Sequence, residues 1–180
     1  MTEAVDAAKD LESHLATGGA FLSIAVSGMQ LPPDEYAVAD VWCTSSLYYA
    51  APIEYPVGRA GFFENHPDLG HRWVDNPRLD RKRRDAAERE AAARWRDDVP
   101  TRAVLTGSAL HLLRQDAAGW SGYGHDQLLS CVTDHQALGT SLGYRGCLPV
   151  RLTGAAVPWL AVALNHLRTS HLVRTTSQEN

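Results

Sequence analysis

The sequence predicts an α+β domain: a small antiparallel β-barrel or sandwich capped by a C-terminal helix, with an N-terminal helix and an inserted, exposed, charged helix. Three observations carry this. From Thr101 to Leu152 apolar residues recur with a period of two, in short runs separated by turn residues. The pattern then becomes helical in "AAVPWLAVALNHLRTSH", where Val157, Leu160, Leu164 and Leu167 share one broad apolar face. Before both, "RLDRKRRDAAEREAAARWRDD" (78–98) consists of helix formers with only a thin apolar side. A strongly bent sheet has an open end, and an amphipathic helix with a wide apolar face is a natural plug for it.

The elements follow in order. Residues 2–16 form the first helix, with Thr2 as its N-cap and acidic residues near the positive end of the dipole. Ala4, Ala8, Leu11 and Leu15 make one narrow stripe, and Gly18-Gly19 stops the helix. "GAFLSIAVSG" fits either a short buried strand or a helical turn, and Pro32-Pro33 then interrupts both ladders. "YAVADVWCTSSLYY" (36–49) reads as one long strand or two short ones, with Trp42 in the core. Residues 52–77 carry several Pro and Gly and no sustained period, which reads as irregular chain. Asn76-Pro77 is a helix start with Pro at the first helical position.

In the charged helix that follows, Leu79, Ala87, Ala91 and Trp95 make up the apolar side, and Asp80–Arg84, Asp85–Arg89 and Glu90–Arg94 are spaced to pair. Pro100 ends it. "TRAVLTGSALHLLR" predicts a hairpin or bend at Gly107-Ser108 with Leu110 and Leu112 on one face. "QLLSCVTD" and "QALGTSLGY" are further strands. "CLPVRL" places Leu148, Val150 and Leu152 together, and Pro149 marks it as an edge strand. Trp159, at the start of the last helix, fills the mouth of the barrel. The expected division is a helix and connector over 1–30, the main domain over 31–170 with an inserted loop and helix at about 56–99, and a flexible tail over 171–180.

Composition narrows the function classes. The chain has 180 residues, 44% hydrophobic and 21% charged, and a formal net charge of −4. That charge argues against a protein that coats nucleic acid nonspecifically. No run reaches the ~20 apolar residues of a spanning helix. The acids in "MTEAVDAAKDLESHL" replace the basic start and apolar core of a secretory signal, so a cytoplasmic location is expected. Cys43, Cys131 and Cys147 are too few and scattered for a disulfide framework and read as free thiols. Basic charge comes from fifteen Arg and two Lys, the residue usage of high-GC bacterial genomes.

The order of these segments resembles the bacterial PH-like domains, the family that includes GRAM-type modules. "LPPDE" (31–35) is similar to the family's acidic lead-in. "AVLTGSALHLL" (103–113) matches its Thr-turn-strand segment through Val104, Leu105, Thr106, Leu110 and Leu112. "GWSGY" supplies the aromatic that follows, and "PWLAVALNHL" the capping helix. The resemblance covers roughly 31–55 and 100–170, with the charged helix as an insertion, and departs where Ala109 stands for the family's Arg. The chain also looks like actinobacterial proteins that share a basic helix before "VLT". Taken with the chemistry-bearing residues, the expected function is a non-enzymatic, PH-like binding or scaffold module without a cofactor.

The chemistry-bearing residues favour that class. His125, Cys131, His135 and Cys147 are the best metal set but lack C-x-x-C spacing. Glu64, His66, Asp68 and His71 lie in a loop, with no helical face to gather them. Asp134-His135 are neighbours on a strand and point apart, and no G-x-S-x-G elbow is present. What stands out is Arg81, Lys82, Arg83 and Arg84, together with Trp73, Trp95 and Trp120. Such residues suit a protein partner, self-association or an anionic membrane surface. Residues 78–98 hold eight basic and six acidic residues, a net of +2, so a solvated, salt-bridged helix also accounts for the run.

Overall fold

The computed structural model describes residues 2–68 and 70–178, and only the backbone of Thr2, His66 and residues 171–178. The capping role expected of the Thr2 side chain therefore lies outside the described residues. The chain runs α1 (Thr2–Ala16), β1 (Ala37–Tyr49), β2 (Gly61–His66), β3 (Gly70–Asp75), α2 (Pro77–Ala91), β4 (Arg94–Thr106), β5 (Ala109–Arg114), β6 (Ser121–Gly124), β7 (Leu128–Asp134), β8 (Gly139–Tyr144), β9 (Val150–Thr153) and α3 (Val157–Gln178). It forms two compact units, one made of the residues up to Tyr48 and from Trp95 onward, the other of Tyr49–Arg94.

The first unit is α+β, built on one seven-stranded antiparallel sheet in the order β6-β5-β4-β1-β9-β8-β7. Its ends, β6 and β7, are free edges, so the sheet is not a closed barrel. Leu105, Leu110, Leu142 and Leu152 point from the sheet into a core shared with Val157, Leu160 and Leu164 of α3 and with Leu11 and Leu15 of α1. Each such Leu, fully buried, contributes roughly 1.5–3 kcal/mol of transfer free energy. The stripe expected on α1 is the face that packs on α3. Gly18, at φ +85°, ends that helix: its N–H donates to Leu15 O, and the Gly19 N–H donates to His14 O.

Several expectations are corrected. Pro149 does not mark an edge, since β9 lies between β1 and β8. Pro149 sits one residue before the strand, and its carbonyl accepts the Tyr48 N–H at 3.0 Å. Leu148 is outside the strand and exposed. "GAFLSIAVSG" makes a single bridge, Ile24 to Ala37, and β1 is one continuous strand. Trp42 is not core but 69% exposed, because it shares the outer face of β1 with Asp40, Thr44 and Ser46. Trp159 is half-buried beside Phe21, and Val157, Leu160 and Leu164 fill the core instead.

The charged helix ends at Ala91, not at Asp98, and Arg94–Thr106 is strand. Pro100 is therefore within β4. It precedes the first residue paired with β5, Thr101, and so occupies a place where that ladder asks for no N–H. Asp97, at φ +57°, distorts β4. In a regular strand Trp95 would share the inner face of Ala103 and Leu105. The distortion shifts the phase, and Trp95 meets Tyr48 on the outer face, ring centroids 5.3 Å apart.

The second unit corrects the irregular reading of 52–77. Gly61–His66 and Gly70–Asp75 pair as an antiparallel hairpin with Phe63 opposite Trp73. α2 begins as expected, with Asn76 Oδ1 accepting the Leu79 N–H at 3.1 Å and Pro77 at its first position. Its inward positions are Asp80, Arg83, Ala87 and Ala91, whereas Leu79 is exposed. Glu90 and Arg94 form the expected ion pair.

Candidate interaction surface

The second unit is held mainly by polar ties. Asp80 Oδ1 accepts the Ala60 N–H at 2.7 Å, and the Asn76 N–H donates to Ala60 O at 2.7 Å. The Tyr55 hydroxyl donates to Glu88, and the Ala51 N–H donates to Ala91 O. Arg59 pairs with Asp75 at 2.8 Å and holds that carboxyl below its ordinary range. Among the unit's described residues the buried hydrophobics are Ala60 and Ala91. Its large apolar side chains face solvent instead, with Val57 98% and Phe63 69% exposed, joined by Tyr55, Phe62, Trp73 and Leu79. Phe63 and Trp73 stack edge-on at 5.1 Å, and the indole Nε1–H donates to Asp75 Oδ1. Two aromatics thus stand fixed on one face of a hairpin.

The basic run divides over α2. Arg83 lies on the inward face, while Arg81, Lys82 and Arg84 are exposed. Helical spacing gathers Arg78, Arg81, Lys82 and Arg89 with Asp85 and Leu79 around a shallow groove of about 450 Å³. Of the residues singled out in the sequence, Trp73 and the basic run thus belong to one unit, and Trp95 and Trp120 to the other.

In the first unit the two tryptophans are partnered by arginines. The Arg102 guanidinium is 5.7 Å from the Trp120 ring, donates to both Asp40 carboxylate oxygens at 2.8 and 2.6 Å, and donates to Ser27 O. Arg102 thereby holds the Asp40 carboxyl below its ordinary value. Arg151 is 5.0 Å from the Trp95 ring, donates to Ser46 and approaches Asp98 at 3.7 Å. These donors are spent on the protein itself, so Trp95 and Trp120 act as anchors of the outer sheet face. Trp42, exposed between them on β1, was missed in the sequence, although the polar residues at the even positions 40, 44 and 46 mark its face.

The metal candidates separate. His125 is buried with Nε2 3.0 Å from Thr106 O, Cys131 is half-buried, and His135 and Cys147 are exposed. Among the described residues no group of three His, Cys, Asp or Glu could hold a metal ion. Glu64 pairs with Arg72 across the hairpin. Burial pushes the Cys43 thiol up to about 11 and the Cys131 thiol above its ordinary value, so neither is an activated nucleophile. A cavity of about 270 Å³ is lined by Phe21, Tyr36, His166 and Leu167, and another of about 500 Å³ by Leu15, Val162, Asn165 and Thr169. Among the described residues no helix is long and apolar enough to cross a membrane.

The motif that carried the family resemblance has a visible structural job. The Glu35 carboxylate accepts the Ser108 N–H at 2.9 Å and its hydroxyl at 2.7 Å, clamping the β4–β5 turn. The Thr106 hydroxyl donates to Ala109 O and accepts the Ala109 N–H across the same turn. Burial alone would raise the Glu35 carboxyl, but the bonds from Ser108 and Thr106 outweigh it and hold it below its ordinary value. No protein-family model and no curated protein matches this chain.

Proposed function

We propose that the chain is a non-enzymatic, PH-like interaction module that binds a protein partner through its inserted unit, 49–94. The carrying observation is that unit's inverted burial, with aromatic and aliphatic side chains outside and, among its described residues, only two alanines as buried hydrophobics. Solvent-facing aromatics fixed on a hairpin are the residue types that dominate binding energy at interfaces. The PH-like part of the reading is supported by the strand order. With the insertion set aside, β4-β5-β6 and β7-β8-β9 are meanders on either side of β1, and the closing helix packs on the inner face. The two segments that carry the resemblance, the Glu35 lead-in and the Thr106 turn, are tied together by the Glu35–Ser108 hydrogen bonds, which supports the same reading. A cytoplasmic location belongs to the same proposal.

A second reading, attachment to an anionic membrane through α2, is favoured by the exposed Arg81, Lys82, Arg84 and Arg89. Affinity capture from native lysate separates the two, comparing wild type with a Phe63→Ser/Trp73→Ser variant and an Arg81→Ser/Lys82→Ser/Arg84→Ser variant. The module reading expects a reproducible partner that the Phe63/Trp73 variant loses. Equal recovery by that variant would put the interface elsewhere. Flotation of wild type with anionic vesicles, abolished in the basic variant and without any captured protein, would replace the module reading by membrane attachment.

A further inference from the structure

The charge of the molecule is divided between its two units. Residues 49–94 carry nine basic and eight acidic residues, a net of +1, which leaves −5 on the remainder of the chain. Much of that negative charge is on α1, where Glu3, Asp6, Asp10 and Glu12 are opposed by Lys9 alone. Glu3, Asp6 and Asp10 follow one another by three and four residues and form a single exposed stripe, turned away from the buried Ala8–Leu11–Leu15 face. Ala7 lies beside that stripe and is exposed.

The outer face of α2 is its complement. Arg78, Arg81, Lys82 and Arg89 surround the groove with one acid, Asp85, among them, and Leu79, 40% exposed, supplies an apolar side chain. Glu3 and Asp10 are seven residues apart, as are Lys82 and Arg89, so each pair spans ~10.5 Å along its helix axis.

We propose that the α2 groove receives α1 of a second copy of this chain. The inference rests on the reading of 49–94 as a binding unit and names the partner as the chain itself. Each copy carries both stripes, so one contact of α1 with the partner's α2 joins two copies. The charges set orientation and register. Individual exposed pairs are weak and screened by salt, so the dimer is weak and salt-sensitive.

The test is sedimentation of the full chain over a range of concentrations at low and high salt, with two charge-reversed variants. Variant one is Glu3→Lys/Asp10→Lys and variant two is Lys82→Glu/Arg89→Glu, all at exposed positions. Wild type is expected to dimerise, with a dissociation constant at least about tenfold weaker at ~0.5 M salt than at ~0.05 M. Each variant alone should be a monomer where wild type is a dimer. An equimolar mixture should recover the dimer, because an α1–α2 contact between the two variants is again between opposite charges. A wild type that stays monomeric throughout overturns the proposal, as does a mixture that stays monomeric although both variants keep the wild-type circular dichroism and melting temperature. Should a reversal unfold the chain, Lys82→Ala/Arg89→Ala replaces it and must still weaken the dimer. A monomeric wild type that captures another protein through Phe63 and Trp73 would end this inference and leave the module reading standing.

Discussion

Glu35 shows how a single side chain can set a loop. Its carboxylate ties Ser108 by both backbone and hydroxyl across a large gap in sequence, and the residue is only partly exposed. Charge-assisted bonds of this kind contribute roughly 1.5–3 kcal/mol when well screened from water, and nearer the lower end here. Glu35→Ala should therefore lower the urea midpoint by the equivalent of about 1–2 kcal/mol. The pH dependence has a definite sign. The folded carboxyl is depressed, so its stabilisation is fully present above the unfolded value of about 4.3 and is lost as pH falls through the folded value. Urea titrations at neutral and acidic pH should show the gap between wild type and Glu35→Ala closing below about pH 4. A gap that persists in acid would mean the carboxylate is not the stabilising species.

At the scale of the element, β4 is where period and conformation part. Asp97 in the left-handed region turns Trp95 to the outer face, where it meets Tyr48 and Arg151. A β-branched residue tolerates that conformation poorly, at a cost of roughly 1–2 kcal/mol. Asp97→Val should lower the melting temperature by several degrees, and Asp97→Gly should lower it by less or not at all. Equal losses in the two would trace the effect to the Asp97 side chain and not to its backbone. The hairpin β2–β3 tells a related story. Its exposed faces mix Phe62, Phe63, Glu64 and Arg72, so no inside–outside alternation exists for a period to reveal. α2 was legible in the sequence because its start depends on local chemistry, the Asn76 cap and Pro77, which needs no distant partner.

For the whole molecule, the insertion joins two strands that are already neighbours. β1 and β4 pair in the sheet, and Tyr48 and Trp95 touch at the point where the chain leaves and returns. Replacing residues 50–93 with a short hairpin turn should leave the seven-stranded sheet folded, with cooperative melting within a few degrees of wild type. The same deletion should abolish partner binding. An unfolded product would show that the sheet depends on the inserted unit for stability as well as for function.

The sequence by itself determined what rests on local periodicity and capping. These include the helical stripes of α1 and α3, the Gly18 stop, the Asn76 start, the turn at Gly107-Ser108 and the inner Leu110–Leu112 face. It also marked the basic run. Only the tertiary structure decided which strands are edges, and so that Pro149 adjoins an interior strand, because pairing order is a long-range choice that no local residue encodes. It likewise turned Trp42 outward and Trp95 across the strand. Those faces depend on sheet position and on one left-handed residue, and they are settled only when distant segments pack.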